Sequence, residues 1–125
     1  MSKGRILVVD DVDTVRESLR LALERAGYEV DEAADGEEAL SIAHRTPADA
    51  VVADLWMPRL DGIDLLKALR RERPGLKVIA ISGGGAGMSL EVATSLARAW
   101  GAEDVLVKPF DNETLVARLD AMLDD

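Results

Sequence analysis

Ile6-Leu7-Val8-Val9-Asp10-Asp11 places four apolar residues, three of them β-branched, directly ahead of two acids. A run without polar alternation suits a strand covered on both faces, because a half-exposed strand alternates. Val51-Val52-Ala53, Val78-Ile79-Ala80-Ile81 and Val105-Leu106-Val107 have the same character. Tyr28-Glu29-Val30 is a weaker fifth candidate, polar enough for a sheet edge.

Between these runs the period changes to that of helices. Val15, Leu19, Leu23 and Ala26 share one face, opposite Arg16, Glu17, Arg20 and Glu24. The same pattern predicts helices over 36–45, 61–72, 89–100 and 112–123, with Gly27 and Gly101 at C-terminal caps and Asp13 and Asp61 at N-terminal caps. Uninterrupted β–α alternation predicts a doubly wound α/β fold: a five-stranded parallel sheet in the order 2-1-3-4-5, five helices over its two faces, and right-handed crossovers. With no repeat beyond that rhythm and no linker, residues 1–125 are expected to form a single domain.

Composition narrows the function classes. A chain of 125 residues that is 48% apolar has the side chains for one core, which argues against disorder and against a second catalytic or DNA-binding domain. Against 15 Lys and Arg stand 24 Asp and Glu, and the resulting net charge of −9 repels phosphate backbones and anionic lipid. Direct nucleic-acid binding is therefore not expected. The absence of cysteine removes disulfides and thiolate chemistry. No apolar run approaches the length of a membrane span, so the chain is expected to be soluble, not inserted in a membrane, and cytoplasmic.

In a sheet of this order the binding crevice lies beyond the carboxyl ends of the strands, where strands 1 and 3 diverge. Those ends carry Asp10-Asp11, Asp54, Ser82 and Lys108-Pro109. Neighbouring strands run about 4.8 Å apart, so Asp10, Asp11 and Asp54 should converge. Crowded carboxylates repel one another unless a cation intervenes, and an all-oxygen donor set suits magnesium. Zinc fits poorly, since His44, the lone imidazole, falls on the second helix and reads as solvated surface. A carboxylate beside Mg²⁺, a hydroxyl and a lysine has the parts to accept a phosphoryl group and become an acyl phosphate.

On these residues the chain resembles, over its whole length, the receiver domain of two-component response regulators, the family of the chemotaxis response regulator. The segments that carry the resemblance are Val8-Val9-Asp10-Asp11, Asp54-Leu55-Trp56-Met57-Pro58-Arg59-Leu60-Asp61-Gly62, Ile81-Ser82-Gly83, and Val107-Lys108-Pro109-Phe110 preceded by Gly101-Ala102. The resemblance implies a flavodoxin-like fold and a phosphoacceptor at Asp54. It further implies direct Mg²⁺ ligation by Asp11, ligation mainly through water by Asp10, and a ligand from the backbone carbonyl of Trp56. Ser82 would be the switch hydroxyl and Lys108 the partner of the phosphoryl group, with a cis Lys108-Pro109 bond. The implied role is phosphorelay signalling: a phosphoprotein of stand-alone type takes phosphate from a histidine kinase or a histidine phosphotransfer protein. It then switches binding of a downstream protein, and catalyses only its own phosphorylation and dephosphorylation.

Several positions depart from the family pattern or are open to more than one reading. Val105 stands three residues before the lysine, where the family usually has an aromatic switch residue. The segment Ser82-Gly83-Gly84-Gly85-Ala86-Gly87-Met88 is glycine-rich and is expected to be mobile without phosphate. Trp56 and Gly84 occupy positions that in the family tune phosphoryl lifetime, while Trp100 reads as packing. The acidic run Glu29, Asp31, Glu32, Asp35, Glu37, Glu38 reads as a solvated face, and Arg16 and Arg20 as exposed helix residues able to meet an acidic partner. Two other functions compete. Asp11-Val12-Asp13-Thr14 also resembles the nucleophile motif of haloacid dehalogenase-type phosphatases, with Asp11 as nucleophile and Asp13 as general acid, and a receiver-like scaffold without phosphoryl chemistry is the other.

Overall fold

A computed structural model describes residues 2–55, 62–82, 90–99 and 101–124 of the chain. Among the described residues, strands and helices alternate: β1 Arg5–Val9, α1 Asp13–Arg25, β2 Glu29–Ala33, α2 Gly36–Arg45, β3 Ala50–Asp54, α3 Gly62–Glu72, β4 Lys77–Ser82, α4 Leu90–Ala99, β5 Asp104–Val107 and α5 Asn112–Leu123. The strands form one parallel sheet in the order β2-β1-β3-β4-β5. That is the expected doubly wound α/β architecture, with helix bounds within a residue or so of those predicted.

Every residue of β3 is buried, yet its side chains still alternate between two cores. Ile6, Val8, Val52, Ile79, Ile81 and Leu106 face α1 and α5, packing with Leu19, Leu23, Leu115 and Leu119. Leu7, Val9, Val51, Ala53, Val78, Ala80 and Val105 belong to the other core, with Ala39, Leu65, Leu66, Leu69 and Ala97 from α2, α3 and α4. The period of two is hidden in the sequence because both faces are covered.

β2 lies one residue later than Tyr28-Glu29-Val30 suggests and extends to Ala33. Its acids are held by cations: Arg5 pairs with Asp31 at 3.0 Å and with Glu29 at 3.4 Å, and Arg16 and Arg20 both pair with Glu32. The acidic run is therefore only partly a solvated face. Further along it, Asp35 caps α2 by accepting the Glu38 N–H at 2.8 Å.

Asp13 does not cap α1. The N-cap is Val12, and Asp13 is the first helical residue, its carboxylate engaged by Arg16 at 2.6 Å. Asp10 takes over part of the capping task, since its Oδ1 accepts the Val12 N–H at 2.8 Å. Gly27 and Gly101 follow α1 and α4 with φ of +106° and +103°, as helix-terminating glycines require. Asp61, the expected cap of α3, lies outside the described residues. His44 is exposed and bridges α2 to α3, with Nε2 2.7 and 2.8 Å from the two carboxylate oxygens of Glu72.

Candidate functional site

The register brings the strand ends level. Val9 stands opposite Ala33 and Ala53, Asp54 opposite Ile81, and Ser82 opposite Val107. Backbone bonds continue one step beyond: Asp10 N–H donates to the Ala33 carbonyl at 3.1 Å, Leu55 N–H to Ile81 at 2.9 Å, and Lys108 N–H to Ser82 at 2.9 Å. Asp10, Asp54, Ser82 and Lys108 consequently share one rim. The Lys108-Pro109 peptide is cis.

Asp10, Asp11 and Asp54 each place a carboxylate oxygen within 4.8 Å of the others. Asp10 is fully buried, Asp54 is 4% exposed, and Asp11 opens to solvent. Lys108 donates from Nζ to Asp54 Oδ2 at 3.1 Å and lies 3.7 Å from Asp10 Oδ2. Burial pushes the Asp10 carboxyl above its ordinary pKa; Asp54 and Asp11 add to the rise, against the Val12 N–H and the Lys108 charge. For Lys108, burial pulls the pKa down, but the bond to Asp54 and the fields of the three carboxylates outweigh it and the net shift is upward.

Two buried oxygens at this rim, Asp10 Oδ2 and Ser82 Oγ, have no hydrogen-bond partner among the described residues. A buried polar atom without a partner costs about 1–3 kcal/mol, so each of these two oxygens is available to a cation or a hydrogen-bonding group at the rim. Among the described residues, Asp10 Oδ2 faces the carboxylates of Asp11 and Asp54 and the Lys108 ammonium. That donor set fits a small hard divalent cation and offers nothing to a soft one. Ser82 Oγ, fully buried at the end of β4, is a neutral donor on the same rim.

The other residues singled out from the sequence fall differently. Trp56, Met57, Pro58, Gly83, Gly84 and Trp100 lie outside the described residues, so the expected carbonyl ligand, the glycine-rich loop and the tuning positions do too. Asp13, the general acid of the phosphatase alternative, is 85% exposed at its side chain and paired with Arg16, and it is not one of the three carboxylates gathered within 4.8 Å of one another. Val105 is a core residue, 9% exposed.

Arg16 was not recognised as belonging to the rim. Instead of facing solvent, its side chain is only 15% exposed, and its Nη1 donates to the Asp10 carbonyl at 2.7 Å. Helical periodicity places Arg16 on the polar face of α1, and only the path of the turn before the helix brings it over the Asp10 carbonyl.

Comparison with known proteins agrees with this geometry. A family model, the response regulator receiver domain, matches residues 6–120. Response regulator MprA from Mycobacterium sp. (strain KMS) is 45% identical over 119 residues, 95% of this chain and 50% of that protein. The chain thus spans about half the length of the curated relatives it matches. Among solved structures, chemotaxis protein CheY4 of Vibrio cholerae superposes with a TM-score of 0.84 at 34% identity, over 94% of this chain and 97% of the other. A response regulator from Chloroflexus aurantiacus J-10-fl, itself described as putative, gives 0.87 at 37% identity over 98% of both.

Proposed function

This chain belongs to the response regulator receiver family of two-component signalling, and on that footing we propose that Asp54 is its phosphoacceptor. The observation that carries the assignment is the placement of Asp54, nearly buried, within 4.8 Å of Asp10 and Asp11 and bonded to Lys108. In the proposed step a carboxylate oxygen of Asp54 attacks the phosphorus of a phosphohistidine. The phosphorus–nitrogen bond breaks, and the imidazole leaves with the bonding pair and takes up a proton. Lys108 moves from its resting pair with Asp54 to the phosphoryl oxygens, and Ser82 Oγ, which has no hydrogen-bond partner among the described residues, donates to another of them.

Asp10, Asp11 and Asp54 would hold Mg²⁺, with the Trp56 carbonyl as a further ligand by family likeness. When bound, the ion would offset the carboxylate charge and that of the transferring group. The donor is a histidine kinase or a histidine phosphotransfer protein, and the output is altered binding of a downstream protein. The chain is proposed to act as a single domain over 1–125 in the cytoplasm, where it catalyses only its own phosphorylation and dephosphorylation. No helix among the described residues is long and apolar enough to cross a membrane.

Incubation with acetyl phosphate and Mg²⁺, borohydride trapping and peptide mapping tests the assignment. Label on Asp54, absent from Asp54→Ala, is the expected result. Label on Asp11 would transfer the chemistry to the phosphatase alternative, and no label from any donor would leave a binding scaffold.

A further inference from the structure

We propose that Arg16 is a positioning residue for the acidic pair, holding the Asp10–Asp11 peptide so that both carboxylates face a divalent cation. This rests on the Mg²⁺ reading above. The guanidinium meets three acceptors in different directions: the Asp10 carbonyl at 2.7 Å from Nη1, Asp13 Oδ1 at 2.6 Å from Nη2, and Glu32 Oε1 at 3.3 Å from Nε. Glu32 is itself fixed, its other oxygen 2.9 Å from Arg20 Nε. Arg16 is thereby braced against the end of β2 and the first turn of α1 at once.

The consequence falls on Asp10. Its N–H is bonded to Ala33, its carbonyl to Arg16 and its Oδ1 to the Val12 N–H, while Oδ2, without a hydrogen bond among the described residues, lies 3.7 Å from Lys108 Nζ and within the carboxylate cluster. The Asp10 carbonyl and the Asp11 amide share one planar peptide unit, so fixing that oxygen also fixes the direction in which Asp11 departs. Only a planar fork satisfies three acceptors spread in this way; an ammonium supplies the charge without the geometry. Two carboxylates already balance the charge of Arg16, so its effect on a bound cation is through shape.

Calorimetric titration of the full chain with Mg²⁺ separates positioning from simple bracing. Arg16→Lys keeps the charge and is expected to weaken Mg²⁺ binding roughly tenfold, as loss of a partner behind a metal ligand does. Glu32→Gln reduces the ion pairs to β2 to at most a neutral hydrogen bond while sparing the carbonyl contact; it is expected to lower thermal stability and leave Mg²⁺ affinity unchanged. Parent-like affinity in a folded Arg16→Lys, or equal weakening in Glu32→Gln, overturns the inference. A parent protein that binds no Mg²⁺ overturns it together with the Mg²⁺ reading, whereas the first two outcomes leave that reading intact. Should Arg16→Lys fail to fold by circular dichroism, the double variant Arg16→Gln with Glu32→Gln, which leaves the net charge unchanged, is measured in its place against the same expectation.

Discussion

Lys108 Nζ reaches Asp54 Oδ2 at 3.1 Å across the end of β4, which separates the strands that carry them. The ammonium occupies the flank of the carboxylate cluster and is the only cation in ion-pairing distance of Asp10 or Asp54 among the described residues. Lys108→Ala removes a charge that opposes a second cation. Mg²⁺ affinity should rise roughly threefold to tenfold, the modest size reflecting solvent screening at a one-third exposed side chain. Titration of parent and variant at one ionic strength checks this; weaker binding in the variant would mean that Lys108 organises the metal ligands instead of competing with the ion.

Asp10 is buried with its pKa raised, so its charge opposes folding when no cation is present. Asp10→Asn keeps an acceptor for the Val12 N–H and gives Asp54 and Asp11 a neutral donor. The metal-free protein should gain about 1–2 kcal/mol, several degrees in melting temperature, and lose most of its stabilisation by Mg²⁺. Paired thermal melts with and without Mg²⁺ decide it.

The same residue sets a pH dependence with a definite sign. Because the folded pKa exceeds the ordinary carboxyl value of 3.8, the native state holds the Asp10 proton more tightly than the unfolded chain. Just above pH 3.8, the Asp10 contribution to metal-free stability therefore declines as pH rises. Asp111 and Asp120 act in the opposite sense, since Thr114 and Tyr28 hydrogen bonds lower their pKa values; their contributions are lost as pH falls below 3.8. Denaturant melts of parent and Asp10→Asn across this range should differ most at the neutral end and converge on acidification.

Tyr28 is the sole tyrosine, buried, and donates to Asp120 at 2.6 Å. Burial, then the Asp120 bond and charge, raise its pKa well above 10.0, so what it contributes to stability is present below pH 10.0 and lost as pH rises further. Phenolate absorbance should appear only at more alkaline pH, and Asp120→Asn should move that onset down part of the way, because burial remains. An onset at the ordinary tyrosine value in the parent would refute the Tyr28–Asp120 bond.

At the opposite rim, Gly101 has φ +103°, and an added Cβ would collide with Arg70 Nε. Gly101→Ala should cost about 2–3 kcal/mol, of which Arg70→Ala in the same chain restores only the steric part. Mg²⁺ affinity should not change in either variant, which makes this pair a control for the site variants.

Sheet order and four rim residues were legible because each apolar run ends on its chemistry-bearing residue: Asp10, Asp54, Ser82 and Lys108. Topology then does the assembling, and no side-chain detail is needed. Arg16 was missed for the converse reason. Periodicity assigns it to the polar face of α1, and nothing in a helical repeat reports that the preceding turn folds this position over a backbone carbonyl. Asp13 misled in a related way, since an acid at a helix start reads as a cap until a nearby arginine competes for it. The late start of β2 follows from Tyr28: it is apolar enough to look like strand, but its side chain packs in the core before the ladder to β1 begins.

The main-chain bonds from Leu55 to Ile81 and from Lys108 to Ser82 tie the residue after Asp54, the Ser82 hydroxyl and the Lys108 ammonium into one strip across three strands. Moving any of these residues bodily means breaking a ladder bond, whereas turning a side chain about its own bonds breaks none. The rim therefore works like a machinist's jig: its tolerances are set by the sheet, and the adjustments left to Asp54, Ser82 and Lys108 are rotations of their side chains.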